Sequence, residues 1–431
     1  MDIVRSLDAL PLPAGPSVVT VGFFDGVHLG HQEVIRRTVE AARELDARGV
    51  AVTFDRHPRE ILTPGEEPRL LTTVERKAEL IEACGIDALV VLEFTKEFSK
   101  VSAEDFVRNV LVGGLHAVHA RVGANFSFGH RAAGTVATLR AVGEPLGMTA
   151  DEVGLFAIEG RVVSSSSIRE ALAAGDLAWP RTALGRRFAV DGEVIAGAGR
   201  GKGLGYPTAN LRTWPRLLLP GQGIYAGVAE LEDGSRYVAA VDVGTNPTFG
   251  TEPLHVEAFL LDFPDDELRG DTLTVEFWER LRDELKFDSV DELVTAIAQD
   301  VERTRTIVTA KRRARGRTGE TWRLRRDGEV VGELVVHEMD QPFLIATFLA
   351  KPGFEEVRPL FRDSLAKLED AEKRDEWDEW ESAYRRIRAA VQLEAPDGRL
   401  MPEFILHIDG DKAWWRWSDE PFDEPENRSS P

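Results

Sequence analysis

The first 175 residues alternate short apolar runs with segments of helical periodicity, and this alternation constrains the fold more than any other feature. The predicted strands of this region are 17–23, 50–54, 88–92 and 117–122. The predicted helices are 31–48, 73–84 and 103–112, and the pattern continues less clearly through 134–142 and 152–158. Strands separated by helices of this length favour a parallel α/β sheet with right-handed crossovers. Ligands of such sheets bind at the carboxyl ends of the strands.

A second pattern, of closely spaced short strands, runs from Arg187 to about Phe277. The predicted strands are separated by Gly, Pro and Asp turns and cover 188–195, 225–231, 237–243, 255–261 and 272–277. This spacing favours a small antiparallel barrel or a sandwich. A closing helix is predicted over 289–308, with Ser289 as its N-cap and Glu292 three residues later.

A third region follows the basic run Lys311–Thr318, which we interpret as an exposed linker rather than an anion-binding patch. Six of the nine tryptophans lie beyond residue 320. We predict an α+β domain with a helix within 376–390 and strands near 322–334, 343–349, 402–408 and 413–417. Trp377 and Trp380 could anchor a partner, but with Tyr384 their spacing favours a buried helical stripe. Trp415 and Trp417 alternate as in a half-buried strand.

Composition is typical of a soluble globular protein. Of the 431 residues, 43% are hydrophobic and 29% are charged, which excludes wholesale disorder. No run approaches the ~18 apolar residues that a membrane helix needs. Cys84 is the single cysteine, so an intramolecular disulfide and a cysteine-based zinc site are excluded. The net charge of −21 disfavours nonspecific nucleic-acid or membrane binding but permits a local phosphate site. We therefore expect a cytoplasmic protein with small-molecule partners.

The first candidate site follows the strand predicted at 17–23, where two histidines, His28 and His31, stand at the start of a helix. Their spacing allows both to face one anion, and the helix start adds unpaired N–H groups and a positive dipole end. Gly26 and Gly30 let the backbone approach a phosphate closely. This arrangement suits nucleotidyl transfer, in which charge on the α-phosphate and the leaving pyrophosphate must be stabilised. We favour it over the alternative that both histidines are surface or capping residues.

The segment GFFDGVHLGHQEVI, residues 22–35, resembles the adenylyltransferase half of bacterial bifunctional riboflavin kinase/FAD synthetases, in the HxGH nucleotidyltransferase superfamily. The resemblance extends to TFDRHP, GANFSFG and VSSSSIR at 53–58, 123–129 and 163–169. It implies that His57 and Asn125 bind FMN and that His28 and His31 are catalytic. It implies a larger ATP-binding set: Gly22, Phe24, Asp25, Gly26, His28, Gly30, His31, Ser164, Ser166 and Arg169. The chain departs from the family pattern at Arg56, where Pro is common, and at Ser166, where Thr is usual.

The second candidate site is a loop with five glycines in nine residues, 197–205, that leads into Pro207-Thr208-Ala209-Asn210. Such a loop can wrap a polyphosphate, although by itself it is most often a flexible hairpin, and it lacks the ending of a Walker A loop. In an extended strand Thr208 and Asn210 point to the same side, where both side-chain oxygens could meet one Mg²⁺.

This pattern resembles the riboflavin kinase half of the same bifunctional enzymes, as do the segments 219–227 and 244–250. The resemblance implies a Greek-key β-barrel, with Thr208 and Asn210 as Mg²⁺ ligands. It implies that ATP binds to Gly197, Gly199, Gly201, Lys202, Gly203, Thr208 and Asn210. It also implies that Glu257 is the general base for the ribityl 5′-hydroxyl. By itself Glu257 would be interpreted as a solvent-facing strand residue. The family often has His where this chain has Phe259, and Tyr where it has Arg269.

The resemblance covers residues 15 to about 308 and implies two reactions, both dependent on ATP and Mg²⁺. Riboflavin is phosphorylated to FMN, and FMN is then adenylylated to FAD with release of pyrophosphate. The predicted domains are an adenylyltransferase (1–180), a kinase barrel (181–309), a linker (310–320) and an acidic domain without assigned partner (321–431). Two alternatives stay open: a nucleotidyltransferase with another acceptor, such as phosphopantetheine or nicotinate mononucleotide, and a flavin-binding regulator with decayed sites.

Overall fold

A computed structural model gives the architecture of the chain. It describes residues 1–5, 15–158, 160–197, 200–245, 254–264, 268–313, 320–340, 343–374 and 377–418. The chain divides into two compact units, Met1–Val308 and Thr309–Pro431, which are described separately. No helix within these ranges is long and apolar enough to cross a membrane.

The first unit begins with a six-stranded parallel sheet of order β1-β4-β3-β2-β5-β6. Its strands are β1 (Asp2–Val4), β2 (Ser17–Val21), β3 (Arg48–Phe54), β4 (Ala88–Leu92), β5 (Ala117–Gly123) and β6 (Thr149–Val153). A separate hairpin follows, of β7 (Ala157–Ile158) and β8 (Arg161–Val162). The helices are α1 (Leu29–Glu44), α2 (Arg59–Leu62), α3 (Val74–Glu82), α4 (Ala103–Asp105), α5 (Val136–Gly143), α6 (Ser165–Ala173) and α7 (Ala178–Leu184). The predicted parallel sheet is confirmed.

The apolar runs became strands because both faces of this sheet are covered. In β3, Val50 and Val52 pack into one core, whereas Ala51 between them packs into the core under α1 and α3. All five residues of β2 are buried, as expected for a central parallel strand. One helix differs from its prediction, because the segment 103–112 forms only the short α4, followed by a π-helix at Phe106–Gly114.

The second part of the first unit is a closed antiparallel barrel of order β10-β13-β12-β11-β14-β9. Its strands are β9 (Ala189–Ile195), β10 (Ala209–Thr213), β11 (Gly223–Leu231), β12 (Arg236–Gly244), β13 (His255–Leu260) and β14 (Thr272–Arg282). A short turn, α8 (Arg200–Gly203), precedes β10, and a long helix, α9 (Val290–Arg313), follows β14. Of the two predicted arrangements, a barrel and a sandwich, the barrel is therefore correct.

Alternate residues of the barrel strands form two cores. Val241, Val256 and Phe277 fill the interior, whereas Val228 and Trp278 face outwards and pack with Val308 of α9. The predicted N-cap is present, since Ser289 Oγ accepts a hydrogen bond from Glu292 N at 3.2 Å. Helix α9 continues to Arg313, so the first residues of the predicted linker are helical, and residues 314–319 lie outside the described part of the chain.

The second unit is a six-stranded antiparallel sheet of order β18-β15-β16-β17-β20-β19 with two helices. Its strands are β15 (Thr321–Arg326), β16 (Glu329–Asp340), β17 (Phe343–Ala350), β18 (Gln392–Glu394), β19 (Glu403–Asp409) and β20 (Lys412–Ser418). Its helices are α10 (Phe354–Arg374), which was not predicted, and α11 (Asp378–Ala390).

The tryptophans of the second unit lie mainly in its core. Trp322 and Trp415 are buried with ring centroids 5.6 Å apart, and Trp417 packs on Trp322 at 4.8 Å. The predicted buried stripe is correct for Trp380, which packs against the core. It is wrong for Trp377, which is 39% exposed because it precedes the first turn of α11.

Candidate functional site

The first candidate site is the turn between β2 and α1. Phe24 adopts a left-handed conformation, a short 3₁₀ turn covers Asp25–Val27, and His28 is the N-cap of α1. Gly26 has φ of +77°, and a Cβ there would lie 2.7 Å from Leu71, so both its conformation and its surroundings require glycine. The turn thus brings the histidines to the carboxyl end of the sheet.

His28 and His31 form a stacked pair with ring centroids 3.6 Å apart. His28 Nδ1 accepts a hydrogen bond from His31 N at 3.3 Å, which fixes the His28 ring against the helix start. Burial, and then the charge of Arg186, lower the pKa of His28 to about 4, and burial holds the pKa of His31 well below its usual range. Both rings are therefore neutral at pH 7 and act as hydrogen-bonding groups rather than as cations.

The serine-rich segment lies against this turn. Arg169 Nη1 contacts Asp25 Oδ2 at 2.7 Å, and Ser165 Oγ donates to Asp25 O at 2.9 Å. Asp25 is only 2% exposed, and its other oxygen accepts from Leu71 N at 2.8 Å. The buried Asp25 carboxylate therefore holds the Arg169 guanidinium in place. Of the predicted serines, Ser164 caps α6 by accepting from Ser167 N at 3.2 Å, and Ser166 lies 3.4 Å from Arg169.

The two residues predicted for the flavin side also follow strand ends. His57 comes after β3, its ring packs edge-on against Phe23 at 4.9 Å, and its backbone N–H donates to Glu60 at 3.1 Å. Asn125 is exposed in the turn after β5. Burial lowers the pKa of His57 to about 4, and further lowering comes from the positive charges of Arg169, Arg59, Arg216 and Lys77. Positive charge around a neutral ring makes this edge attractive to an anion.

Two cations near this site, the buried Lys77 and the half-buried Arg186, were missed in the sequence. Lys77 is 1% exposed, its Nζ lies 3.3 Å from Thr53 Oγ1 and 4.1 Å from the Phe23 ring, and burial lowers its pKa to about 8. Arg186 donates to Gly26 O at 2.6 Å and so braces the histidine turn. A signal for Lys77 exists, because it occupies an apolar-stripe position of α3, between Val74 and Ile81.

The second candidate site is a cavity of about 740 Å³ on the outside of the barrel, below the start of α9. This volume is that of a typical small-molecule site. Thr208, Asn210 and Glu257 all line it. Thr208 Oγ1 donates to Glu257 Oε2 at 3.0 Å, and Asn210 is paired with Glu257 across β10 and β13. Thr208 and Asn210 therefore face the same cavity, as their spacing predicts. Apolar residues from the other wall are Leu285, Phe287, Val290, Leu293 and Ile297.

The glycine-rich loop lies beside this cavity. Gly201 lines the cavity, and Gly203 is exposed in the helical turn α8. A Cβ on Gly197 would lie 2.1 Å from the Asn210 amide, so only glycine permits this approach. Gly199, the Lys202 side chain and the segment 246–250 lie outside the described part of the structure.

The cavity also contains carboxylates that were not predicted. Asp242 lies directly opposite Glu257 across β12 and β13, and Glu284 lines the same cavity. Burial, and then Glu284 and Glu257, raise the pKa of Asp242 to about 6. His255 Nε2 lies 3.3 Å from Glu257 Oε1 on the same strand. Several carboxylates beside a glycine-rich loop suit a site that binds a phosphate-containing ligand together with its divalent cation.

Comparison with known proteins connects the two sites. A family model described as FAD synthetase matches residues 12–167, and one described as riboflavin kinase matches residues 184–308. The bifunctional riboflavin kinase/FMN adenylyltransferase of Pseudomonas fluorescens is 36% identical over 308 residues, covering 71% of this chain and 98% of that protein. The chain belongs to the bifunctional riboflavin kinase/FMN adenylyltransferase family.

Other members of this family match over the same region. The protein of that name from Haemophilus influenzae is 33% identical, over 70% of this chain and 97% of its own length. The one from Bacillus subtilis is 35% identical, over 66% and 90%. A crystal structure described as a macrolide-efflux protein from Streptococcus pneumoniae has a TM-score of 0.64 and 30% identity, covering 70% of this chain and 98% of that one. Neither family model extends into the second unit.

Arg56, which stands where Pro is common in the family, pairs with two carboxylates. Arg56 Nε donates to Asp55 at 2.8 Å, and the guanidinium lies 3.7 Å from Glu93. The neighbouring His57 keeps its contacts with Phe23 and Glu60. The substitution is therefore compatible with the site.

The kinase cavity contains the oxygen ligands that Mg²⁺ prefers. Thr208 Oγ1, the Asn210 amide oxygen and the Glu257 carboxylate line one wall. Among the described residues, no group of three or more His, Cys, Asp or Glu is arranged to hold a metal ion. This donor set fits Mg²⁺, which commonly takes only one or two protein ligands and completes its coordination with phosphates and water.

Proposed function

We propose that the barrel transfers the terminal phosphoryl group of ATP to riboflavin, and that the parallel-sheet domain then adenylylates the product, FMN, to FAD. The observation that carries the proposal is the contact of Thr208 with Glu257 at 3.0 Å in a ligand-sized cavity beside the glycine-rich loop. In the same unit the HxGH turn and the segment 163–169 form a second anion site through the pair of Asp25 and Arg169. We retain the division into domains 1–180, 181–309 and 321–431, with 310–320 as linker, and a Greek-key path for the barrel.

In the phosphorylation step, Glu257 accepts the proton of the ribityl 5′-hydroxyl as the oxygen bonds to the γ-phosphorus and ADP leaves. Thr208 orients the Glu257 carboxylate through its hydroxyl. Thr208 and Asn210 would hold Mg²⁺, which offsets phosphate charge when bound. The apolar wall that includes Phe287 and Leu293 suits a flavin ring and excludes water from the reacting groups.

In the adenylylation step, a phosphate oxygen of FMN bonds to the α-phosphorus of ATP, and the bond to pyrophosphate breaks. The neutral rings of His28 and His31 donate hydrogen bonds to the phosphates, and the start of α1 adds backbone N–H groups. Arg169, held by Asp25, supplies positive charge. His57 and Asn125 would contact the FMN side. The acidic composition and single cysteine support a cytoplasmic enzyme with small-molecule partners.

The experiment that tests this function is a time course with riboflavin, ATP and Mg²⁺, in which the flavins are separated by chromatography. We expect FMN to appear first and FAD to follow. FMN alone would refute the adenylylation assignment and favour another acceptor. The absence of both products would favour the flavin-binding alternative.

A further inference from the structure

The kinase domain contacts the adenylyltransferase domain through a segment that follows β10, Trp214–Leu218. Leu70 N donates to Arg216 O at 2.8 Å, and Leu218 N donates to Leu70 O at 2.7 Å. These bonds form an isolated parallel bridge between Leu70 and Leu217, whose side chains are 2% and 3% exposed. Because the bridge is both hydrogen-bonded and buried, it is a specific contact between the domains.

One series of contacts leads from this bridge to the phosphate side of the adenylyltransferase site. Leu71, adjacent to the bridge, donates its N–H to Asp25 at 2.8 Å, and Thr72 does so at 3.4 Å. Asp25 in turn holds Arg169 at 2.7 Å. The kinase segment therefore supports residues 70–72, whose N–H groups hold the Asp25 carboxylate that positions Arg169.

A second series of contacts leads to the flavin side. The Arg216 guanidinium pairs with Glu67 and lies 3.4 Å from Glu60, both of which belong to the adenylyltransferase domain. Glu60 accepts the backbone N–H of His57 at 3.1 Å. The side chain of Arg216 is 28% exposed, and both carboxylates lie within ion-pair distance of its guanidinium.

We propose that Arg216, a residue of the kinase domain, is a positioning residue of the adenylyl-transfer site in the same chain. It holds the segment 57–72 in the shape that places His57 and, through Asp25, Arg169. Adenylyl transfer then depends on both domains, whereas phosphorylation depends on the barrel alone. This inference rests on the proposed assignment of adenylyl transfer to the site around His28, His57 and Arg169.

The test compares Arg216→Ala with Arg216→Lys in the full chain. For Arg216→Ala we expect kcat/KM for conversion of FMN to FAD to fall on the order of 10- to 100-fold, as for other misplacements remote from the chemistry. The loss should lie mainly in the KM for FMN, because the substitution removes the side-chain pairs with Glu60 and Glu67 but keeps the backbone bond to Leu70. Arg216→Lys should recover part of it, since it retains the charge but not the planar fork. Phosphorylation of riboflavin should stay unchanged. Arg305→Ala, which removes an exposed arginine paired with Asp262, is the control.

A double-mutant cycle with Glu67→Gln separates this role from a general structural one. If the pair acts as a unit, the double variant loses no more than Arg216→Ala alone. Additive losses, wild-type FAD formation by Arg216→Ala, or equal loss of both activities would overturn the inference.

His28→Ala, assayed in parallel, identifies which assignment has failed. If His28→Ala is inactive in FAD formation while Arg216→Ala matches wild type, only the role of Arg216 is wrong. If His28→Ala forms FAD at the wild-type rate, the site assignment is wrong and the inference falls with it.

Discussion

Arg169 Nη1 lies 2.7 Å from Asp25 Oδ2, although the two residues are 144 positions apart in the chain. The pair joins the turn that carries the histidines to the start of α6, where Ser165 also bonds to the backbone of Asp25. Because Asp25 is buried and the Arg169 side chain is only 19% exposed, the pair is largely shielded from water.

Asp25→Asn should therefore impair both stability and FAD formation. Loss of the carboxylate leaves the half-buried Arg169 without its charge partner, and breaking a pair with a buried member costs about 3–5 kcal/mol of unfolding free energy. Urea unfolding measures this change. The control is Asp151→Asn, which breaks the more exposed pair with Arg121 and should cost about 0–1 kcal/mol. Equal costs for the two variants would contradict the special position of Asp25.

His28→Ala should reduce the rate of FAD formation from FMN by about 10²–10³-fold, the effect of removing one donor that stabilises transition-state charge. Riboflavin phosphorylation should remain, because the barrel contains its own site. The two rates are measured separately with FMN and with riboflavin as substrate. His130→Ala, at an exposed position of the same domain, is the control. An active His28→Ala enzyme would exclude the histidine from the reaction.

The pH profile of FAD formation should lack an inflection near pH 6.5. His28 and His57 both have pKa values lowered to about 4, so both stay neutral as the pH falls from 8 to about 5. The kcat at saturating FMN and ATP is the quantity to follow, because kcat/KM for FMN would also report the phosphate of free FMN, whose second pKa is about 6. An acid limb with a midpoint near 6.5 would show that one of these rings becomes charged at a higher pH than this geometry permits.

Glu257→Gln should reduce FMN formation by about 10²–10⁴-fold, the usual effect of losing a general base. FMN supplied externally should still be adenylylated at the wild-type rate. The matched control is Glu193→Gln, which changes an exposed carboxylate paired with Arg212 on the same barrel. If Glu257→Gln phosphorylates riboflavin normally, the base is another group, and Asp242 opposite it becomes the first to replace.

His407 should make the second unit sensitive to acid. It is 4% exposed, stacks on Trp414 at 5.3 Å, and burial lowers its pKa from 6.5 to about 4. Because the unfolded chain binds the proton more readily, stability is lost as the pH falls from 6.5 towards 4. Between pH 7.5 and 5 the loss is about 2 kcal/mol.

His407→Phe keeps the stacking and removes this titration, so its unfolding free energy should fall less over the same interval. Tryptophan fluorescence in urea follows the unfolding, and His337→Gln, at an exposed position of the same unit, is the control. Identical pH dependence in wild type and His407→Phe would refute the assignment.

The parallel sheet could be predicted because short, fully apolar runs such as β4, whose five residues are all buried, alternate with helical segments. The barrel strand β10 was missed because only Ala209 and Leu211 are buried and the residues before it are glycine and proline. Helix α10 was missed because charged residues and Pro359 obscure its buried stripe. These elements depend on tertiary packing more than on local sequence.

The candidate sites divide in the same way. Motifs with a fixed spacing, such as His28 with His31, could be located from the sequence. The pairing of Asp25 with Arg169 joins distant segments, so local patterns contain no trace of it. The stripe position of Lys77 in α3 indicates its burial, but not its contact with the ring of Phe23. Neither can the role of a residue such as Arg216 be recognised before the two domains are seen together.

The bridge between Leu70 and Leu217 also limits how the family's two halves can be recombined. The family models leave residues 168–183 between them, and a crossover after Arg169 in this stretch would preserve every recognised motif of both halves. A hybrid built at that point would nevertheless place a foreign segment against Leu70, Glu60 and Glu67. We expect its kinase half to keep its activity, and its adenylyltransferase half to lose part of its activity unless the new kinase half supplies an equivalent of Arg216.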